Sequence, residues 1–147
     1  MTPDQTAAIE RSFRLLAPIA EPAAAIFYEK LFLLDPSLKS MFHQADLGEQ
    51  GRKLMQAIGF VVANLRRPEA LLPAVAELGR RHGGYGVQPR HYATVGAALL
   101  DTLAEGLGPH FTAETRAAWA AAYGLLAETM QAAAQAEAAK TAFRAAA

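Results

Sequence analysis

The chain has 147 residues, no cysteine, and 14 basic residues balanced by 14 acidic ones. That length suits one domain with a substantial core. The balanced charge leaves no basic footprint for nucleic acid, and the missing cysteine excludes disulfides, thiolate metal sites and cysteine nucleophiles. No apolar run approaches the roughly 18 residues of a membrane span. The N-terminus is acidic and polar rather than basic and then apolar, so neither a leader nor a membrane association is expected, and a cytoplasmic location follows as the default.

Alanine is abundant and β-branched residues are sparse, a composition that favours helix. No stretch alternates with the period of two that a strand requires. Thr2-Pro3-Asp4-Gln5 opens a first helix, with Thr2 as cap, proline in the first turn and Gln5 able to close a capping box. Its apolar face is Ile9, Phe13, Leu16 and Ala20. A second helix starts near Glu21-Pro22 and carries Ala24, Tyr28, Leu31 and Phe32 as far as Leu34. Asp35-Pro36 breaks it, a short helical turn covers 37–42, and 43–49 reads as a loop. A third long helix spans about 49–66, with Leu54, Ile58, Val61 and Leu65 on its buried face and Gln50 one turn before Leu54.

Arg67-Pro68 separates that helix from the next, where Leu71, Val75, Leu78 and His82 recur at the spacing of one helix face. The stripe ends in a histidine, and Gly83-Gly84 is expected to stop the helix in the left-handed cap conformation. An inward imidazole on a last helical turn has two readings: a core histidine satisfied by a backbone carbonyl, or the axial ligand of a haem. Pro89 sets the start of a fifth helix, with Tyr92, Val95, Leu99 and Leu103 inward and Gly106, Gly108 and Pro109 ending it. Thr112 caps the last helix, whose core face is Trp119, Tyr123, Leu126 and Met130. Residues 1–131 thus make the domain. The alanine-rich stretch 132–147 has little to bury and is expected as a helical extension or a frayed, disordered tail.

Three other histidines compete for a site. His43 and His110 fall in or beside predicted loops, and His91, just after Pro89, is expected to point outward. No HxxxH, ExxH or carboxylate–histidine cluster is present, which argues against zinc and di-iron sites. Phosphate-cradling glycine loops and a GxSxG elbow are also missing. A single inward histidine in an all-α domain is compatible with haem, whose porphyrin supplies the other four nitrogens.

Several patches, in order and spacing, now resemble a family: Phe27-Tyr28-Glu29-Lys30-Leu31-Phe32, the stretch 36–42, the stretch 50–58, Arg80-Arg81-His82, Tyr92-Ala93-Thr94-Val95-Gly96, and Ala118-Trp119-Ala120-Ala121-Ala122-Tyr123-Gly124. They resemble the bacterial globins, specifically single-domain haemoglobins of the Vitreoscilla type and the globin module of flavohaemoglobins, over about residues 4–130. The resemblance implies a globin fold around a pocket for haem b (iron protoporphyrin IX), with His82 as the proximal iron ligand. It implies Phe42 packed on the haem face, Tyr28 and Gln50 as distal polar residues, Leu54 over the iron, and Tyr92 and Val95 lining the cofactor site.

Reduced iron pushes electron density onto O2, and an electron-rich diatomic accepts hydrogen bonds. A phenol and an amide both donate, at about 1.5–3 kcal/mol for a bond to a charged group, so slow O2 release and high affinity are expected. Glutamine cannot accept a proton at neutral pH, which argues against peroxidase chemistry. The family's proximal glutamate does not carry over: its position falls at Ala134, with Glu137 three residues on. His82 is then expected to donate only to a backbone carbonyl, with less electron push onto the iron. In flavohaemoglobins a reductase follows the globin, whereas this sequence stops at Ala147. The expectation is therefore a globin that binds O2, NO and other small gases and oxidises NO to nitrate when a separate flavin reductase supplies electrons. The alternatives are O2 storage, delivery or scavenging without catalysis, and gas-ligand sensing. Tyr28, His43 and Gln50 are the candidates for a sixth iron ligand.

Overall fold

The computed structural model describes residues 1–42 and 45–146. Among them are six α-helices: α1 (Pro3–Leu16), α2 (Ala20–Leu34), α3 (Leu47–Ala63), α4 (Pro68–Gly84), α5 (Pro89–Leu107) and α6 (Ala113–Ala146). Short 3-10 turns at Ala17–Ile19, Pro36–Phe42 and Gly108–His110 join some of them. His43, a candidate sixth ligand, lies outside the described residues.

The helix starts follow from local chemistry. The Thr2 hydroxyl accepts from the Gln5 N–H at 3.1 Å while the Gln5 side chain accepts from the Thr2 N–H at 3.0 Å, a closed capping box. Asp46 caps α3 by accepting from the Glu49 N–H, so the helix begins at Leu47, two residues before the expected start. Thr112 caps α6 through the Thr115 N–H.

The main core joins α1, α3, α5 and α6 through Ile9, Leu16, Val62, Leu103, Leu107 and Trp119. The Trp119 Nε1–H donates to the Ser12 hydroxyl at 2.8 Å, which satisfies the one polar atom of a buried indole and locks α6 to α1. A second cluster, Phe27, Tyr28, Leu31, Leu38 and Ala98, lies between α2 and α5.

Helix α3 turns the expected side inward: Ile58 and Leu65 pack against the main core, Leu54 against the second cluster, and Gly51 and Val62 are its fully buried residues. At its crossing with α2 a Cβ on Gly51 would stand 2.9 Å from that of Ala24. Two small residues bring the backbones together there, and Leu54 is left to pack against the second cluster.

Helix α4 packs extensively on α6 alone. Gly79 lies directly on the α6 backbone, where any Cβ would overlap Met130. One turn on, a Cβ at Gly83 would stand 3.1 Å from the Cβ of Ala134. Gly83 and Gly84 are therefore inside the helix, and the chain turns at Gly86, with φ of 87°. The glycine at 83 serves close packing rather than a left-handed cap. Helix α6 runs on past Gln131 to Ala146 as continuous helix, meeting Gly83 at Ala134.

Gly79→Ala is expected to destabilise the fold by about 1–3 kcal/mol through overpacking. Gly84→Ala has nothing within 4 Å and is expected to be neutral or mildly stabilising. Urea unfolding of the two variants beside the parent checks the contrast.

Candidate functional site

The packing of α4 on α6 leaves the facing sides of α3, α4 and α5 without extensive mutual contact. His82 stands on the α4 side of this cleft. It lies about 60–100° around the helix from Gly79 and Gly83, so it is off the line that meets α6, and it is half-buried. Its Nδ1 is 2.7 Å from the Leu78 carbonyl oxygen. A carbonyl only accepts, so Nδ1 carries the proton and Nε2 keeps its lone pair. The imidazole is thus held in one tautomer and one orientation by its own helix. The Val87 and Tyr85 N–H groups donate to the His82 carbonyl, each at 3.1 Å, and anchor this last turn.

The opposite side is aromatic. Tyr28 and Phe42 meet edge to face at 5.6 Å between ring centroids, and Phe32 stands 5.7 Å from Phe42. Leu54 of α3 and Val95 of α5 pack against the same cluster. Tyr28 is only 8% exposed, and burial raises its phenol above the ordinary pKa, so it remains a proton donor. Gln50, half-buried in the first turn of α3, precedes Leu54 by one turn. Among the described residues neither the Tyr28 hydroxyl nor the Gln50 amide has a hydrogen-bond partner.

Tyr92, one turn before Val95 on α5, has a buried hydroxyl with no partner among the described residues. Its carbonyl accepts from the Tyr123 hydroxyl at 2.6 Å. Tyr123 reaches it by passing close over Gly96, where a Cβ would be 2.8 Å from the ring edge. Burial, then the nearby Tyr92, raise the Tyr123 pKa, and burial raises that of Tyr92.

The fold therefore gathers Tyr28, Phe42, Leu54 and Val95 into one cluster and sets Gln50 and Tyr92 each a turn from a member of it. His82 stands apart on α4. Sequence reasoning omitted Phe32 from the site, although its i+4 spacing from Tyr28 puts both on one face. It also misplaced His91. That ring is buried, 5% exposed, and its Nδ1 accepts the Gln88 N–H at 2.9 Å, which closes the start of α5. The exposed end of a helix still needs its N–H groups satisfied, and His91 does this by folding back.

No group of three or more His, Asp or Glu side chains able to hold a metal occurs among the described residues. One imidazole tied at Nδ1 to a backbone carbonyl, in a domain that also holds a separate apolar and aromatic cluster, fits a metal that arrives with its other ligands in a flat macrocycle. A family model described as "Globin" matches residues 25–130. This chain belongs to the globin family. It is accordingly a haem- and oxygen-binding protein, and its ligands include small gases such as O2. A bacterial globin from Campylobacter jejuni superposes with a TM-score of 0.80 at 29% identity, over 91% of this chain and 96% of that one. A flavohemoprotein from Rhizobium meliloti is 38% identical over 71% of this chain and 26% of its own length. One from Deinococcus radiodurans is 35% identical over 88% of this chain and 33% of its own. The chain thus spans about a quarter to a third of these curated relatives. No helix among the described residues is long and apolar enough to cross a membrane.

The three raised phenols set an alkaline limit. An unfolded tyrosine ionises near pH 10, while the folded chain keeps Tyr28, Tyr92 and Tyr123 protonated beyond that. Their contribution is complete below pH 10 and is lost as pH rises through the folded values. Unfolding free energy measured from pH 8 to 11 is expected to fall above 10, less steeply in Tyr123→Phe.

Proposed function

We propose that the chain binds haem b through His82, holds O2 with high affinity, and oxidises NO to nitrate when a separate flavin reductase supplies electrons. The observation that carries this reading is the 2.7 Å contact of His82 Nδ1 with the Leu78 carbonyl, which leaves Nε2 free and aimed by the helix. The b-type assignment rests on the absence of cysteine, since covalent c-type attachment needs a pair of them.

Bound haem supplies an iron that takes O2 and the redox chemistry by which NO and O2 become nitrate. The protein's own residues do the rest. Phe42, Leu54, Val95 and the tyrosine rings exclude water from the pocket, which strengthens every polar contact inside it. Tyr28 and Gln50 are donors without a hydrogen-bond partner among the described residues, suited to a diatomic ligand that gains negative charge. Burial raises the Tyr28 pKa, so the phenol stays a proton donor at neutral pH. Neither residue is a base at neutral pH, so peroxide activation is not favoured.

O2 storage or scavenging without catalysis is the second reading, and one observation favours it. Ala134 faces Gly83 beside His82, at the position where the resemblance would place a glutamate. His82 therefore leans on a neutral carbonyl, which makes it a weaker electron donor than a histidine paired with a carboxylate.

The visible spectrum of the purified protein, ferric, ferrous and with O2, tests the reading. A Soret band that shifts at each step, and is lost or altered in His82→Ala, is expected; a protein that stays colourless with added haem overturns it. Stopped-flow mixing of the O2 form with NO is expected to give nitrate, and its absence removes the catalytic half. Tyr28→Phe is expected to speed O2 dissociation roughly ten- to a hundredfold, the equivalent of one hydrogen bond to a charged group. An unchanged rate would place the hydroxyl outside the pocket.

A further inference from the structure

The first turn of α5 holds no acidic side chain. Its third position, ordinarily a glutamate or glutamine that reaches back to the cap N–H, is His91. The His91 Nδ1 accepts the Gln88 N–H at 2.9 Å, and the His91 N–H donates to the Gln88 carbonyl at 2.9 Å. A ring nitrogen that accepts carries no proton, so the neutral ring holds its proton on Nε2, the reverse of His82. The ring is buried.

A glutamine in this place accepts at every pH. An imidazole accepts only while neutral, and histidine is the side chain that changes charge between about pH 5 and 8. A second proton on the ring would sit on Nδ1 and face the Gln88 N–H, donor against donor. It would also put a buried positive charge in the first turn of a helix, where the backbone N–H groups already carry a positive field, beside the exposed Arg90. The acid facing this corner is Asp35, which ends α2. The Ser37 hydroxyl and N–H, with the charges of His91 and Arg90, hold the Asp35 carboxyl below the usual carboxylate range, so it stays ionised where imidazoles titrate. From α6, Tyr123 reaches the same end of α5 through the Tyr92 carbonyl, and burial keeps its phenol neutral.

We propose that His91 is a pH-operated positioning residue: its neutral ring closes the start of α5, and its charged ring leaves the Gln88 N–H and turns to the Asp35 carboxylate. The next residue in the chain is Tyr92, whose hydroxyl is buried without a partner among the described residues. Acidification therefore loosens the turn that carries Tyr92, while Ala98, Leu103 and Leu107 hold the rest of α5 in the core. This latch is a property of the chain itself; only its effect on haem rests on the function proposed above.

Nuclear magnetic resonance of the full chain, reduced under carbon monoxide so that any bound haem is diamagnetic, tests the latch. The His91 Nδ1 resonance and the exchange protection of the Gln88 amide, corrected for the intrinsic rate, are followed from about pH 8 to 5. Protection is expected to fall roughly two- to tenfold as Nδ1 gains its proton, the equivalent of one neutral hydrogen bond. His91→Gln, an uncharged acceptor suited to this position, is expected to keep the protection throughout. Asp35→Asn removes the partner of the charged ring, and release is then expected to need a lower pH. A ring that stays neutral over the whole range overturns the proposal, as does a loss of protection that is equal in His91→Gln. Haem transfer to excess apomyoglobin is the second readout. Its acceleration on acidification is expected to be severalfold smaller in His91→Gln than in the parent, and equal acceleration overturns the reach of the latch into the pocket. A chain that takes no haem but shows the pH-dependent protection keeps the latch and overturns the haem reading alone.

Discussion

Helix α4 can lie on the α6 backbone only because residue 79 has no side chain. That approach sets where α4 stands, and most of the site depends on it. The same contact continues through Gly83 and Ala134, so α4 rides on α6 rather than on the helices across the cleft. A helix held from one side presents its other side to open space. His82 lies on the flank of that contact, about 60–100° from the glycines that meet α6, and its orientation is settled within the helix by the Leu78 carbonyl. The histidine can therefore be aimed before any cofactor arrives, which lowers the ordering cost of binding.

The opposite wall is built by a different device. At the α2–α3 crossing, Ala24 and Gly51 let two backbones approach closely, and the larger residues on either side of that point are pushed apart. On the inner side this delivers Tyr28, Leu54 and Phe42 to one cluster. On the outer side it leaves an apolar groove. Pocket and groove are thus two consequences of one tight crossing, with the Tyr28 ring between them.

Polar satisfaction separates the functional residues from the structural ones. Trp119, Ser12, Thr102 and His91 are buried and hydrogen-bonded, as stable cores require. Among the described residues the Tyr92 hydroxyl is buried without a partner, and Tyr28 and half-buried Gln50 make no side-chain hydrogen bond. A buried hydroxyl without a partner costs roughly 1–3 kcal/mol. The Tyr92 hydroxyl is one such group.

Much of this was legible in the chain itself. The helix starts are short-range chemistry: Thr2 with Gln5, Thr112 with Thr115, and prolines at the first position of α1, α4 and α5. The stripe ending at His82 and the i+4 pair Tyr28 and Phe32 follow from the helix period. The sequence also carried its family resemblance, which the globin match bears out. Tertiary packing decided the rest. Gly83 read as a helix stop because a glycine near a helix end is usually a cap; it proved to be a contact point, since only the position of α6 makes a side chain there intolerable. The Gly51–Ala24 crossing fixed how closely α3 approaches α2, and the unpaired N–H groups at the start of α5 drew His91 inward. Periodicity records which face of a helix is apolar. Which neighbour that face meets, and how closely, depends on residues tens of positions away, and those contacts opened the cleft beside His82.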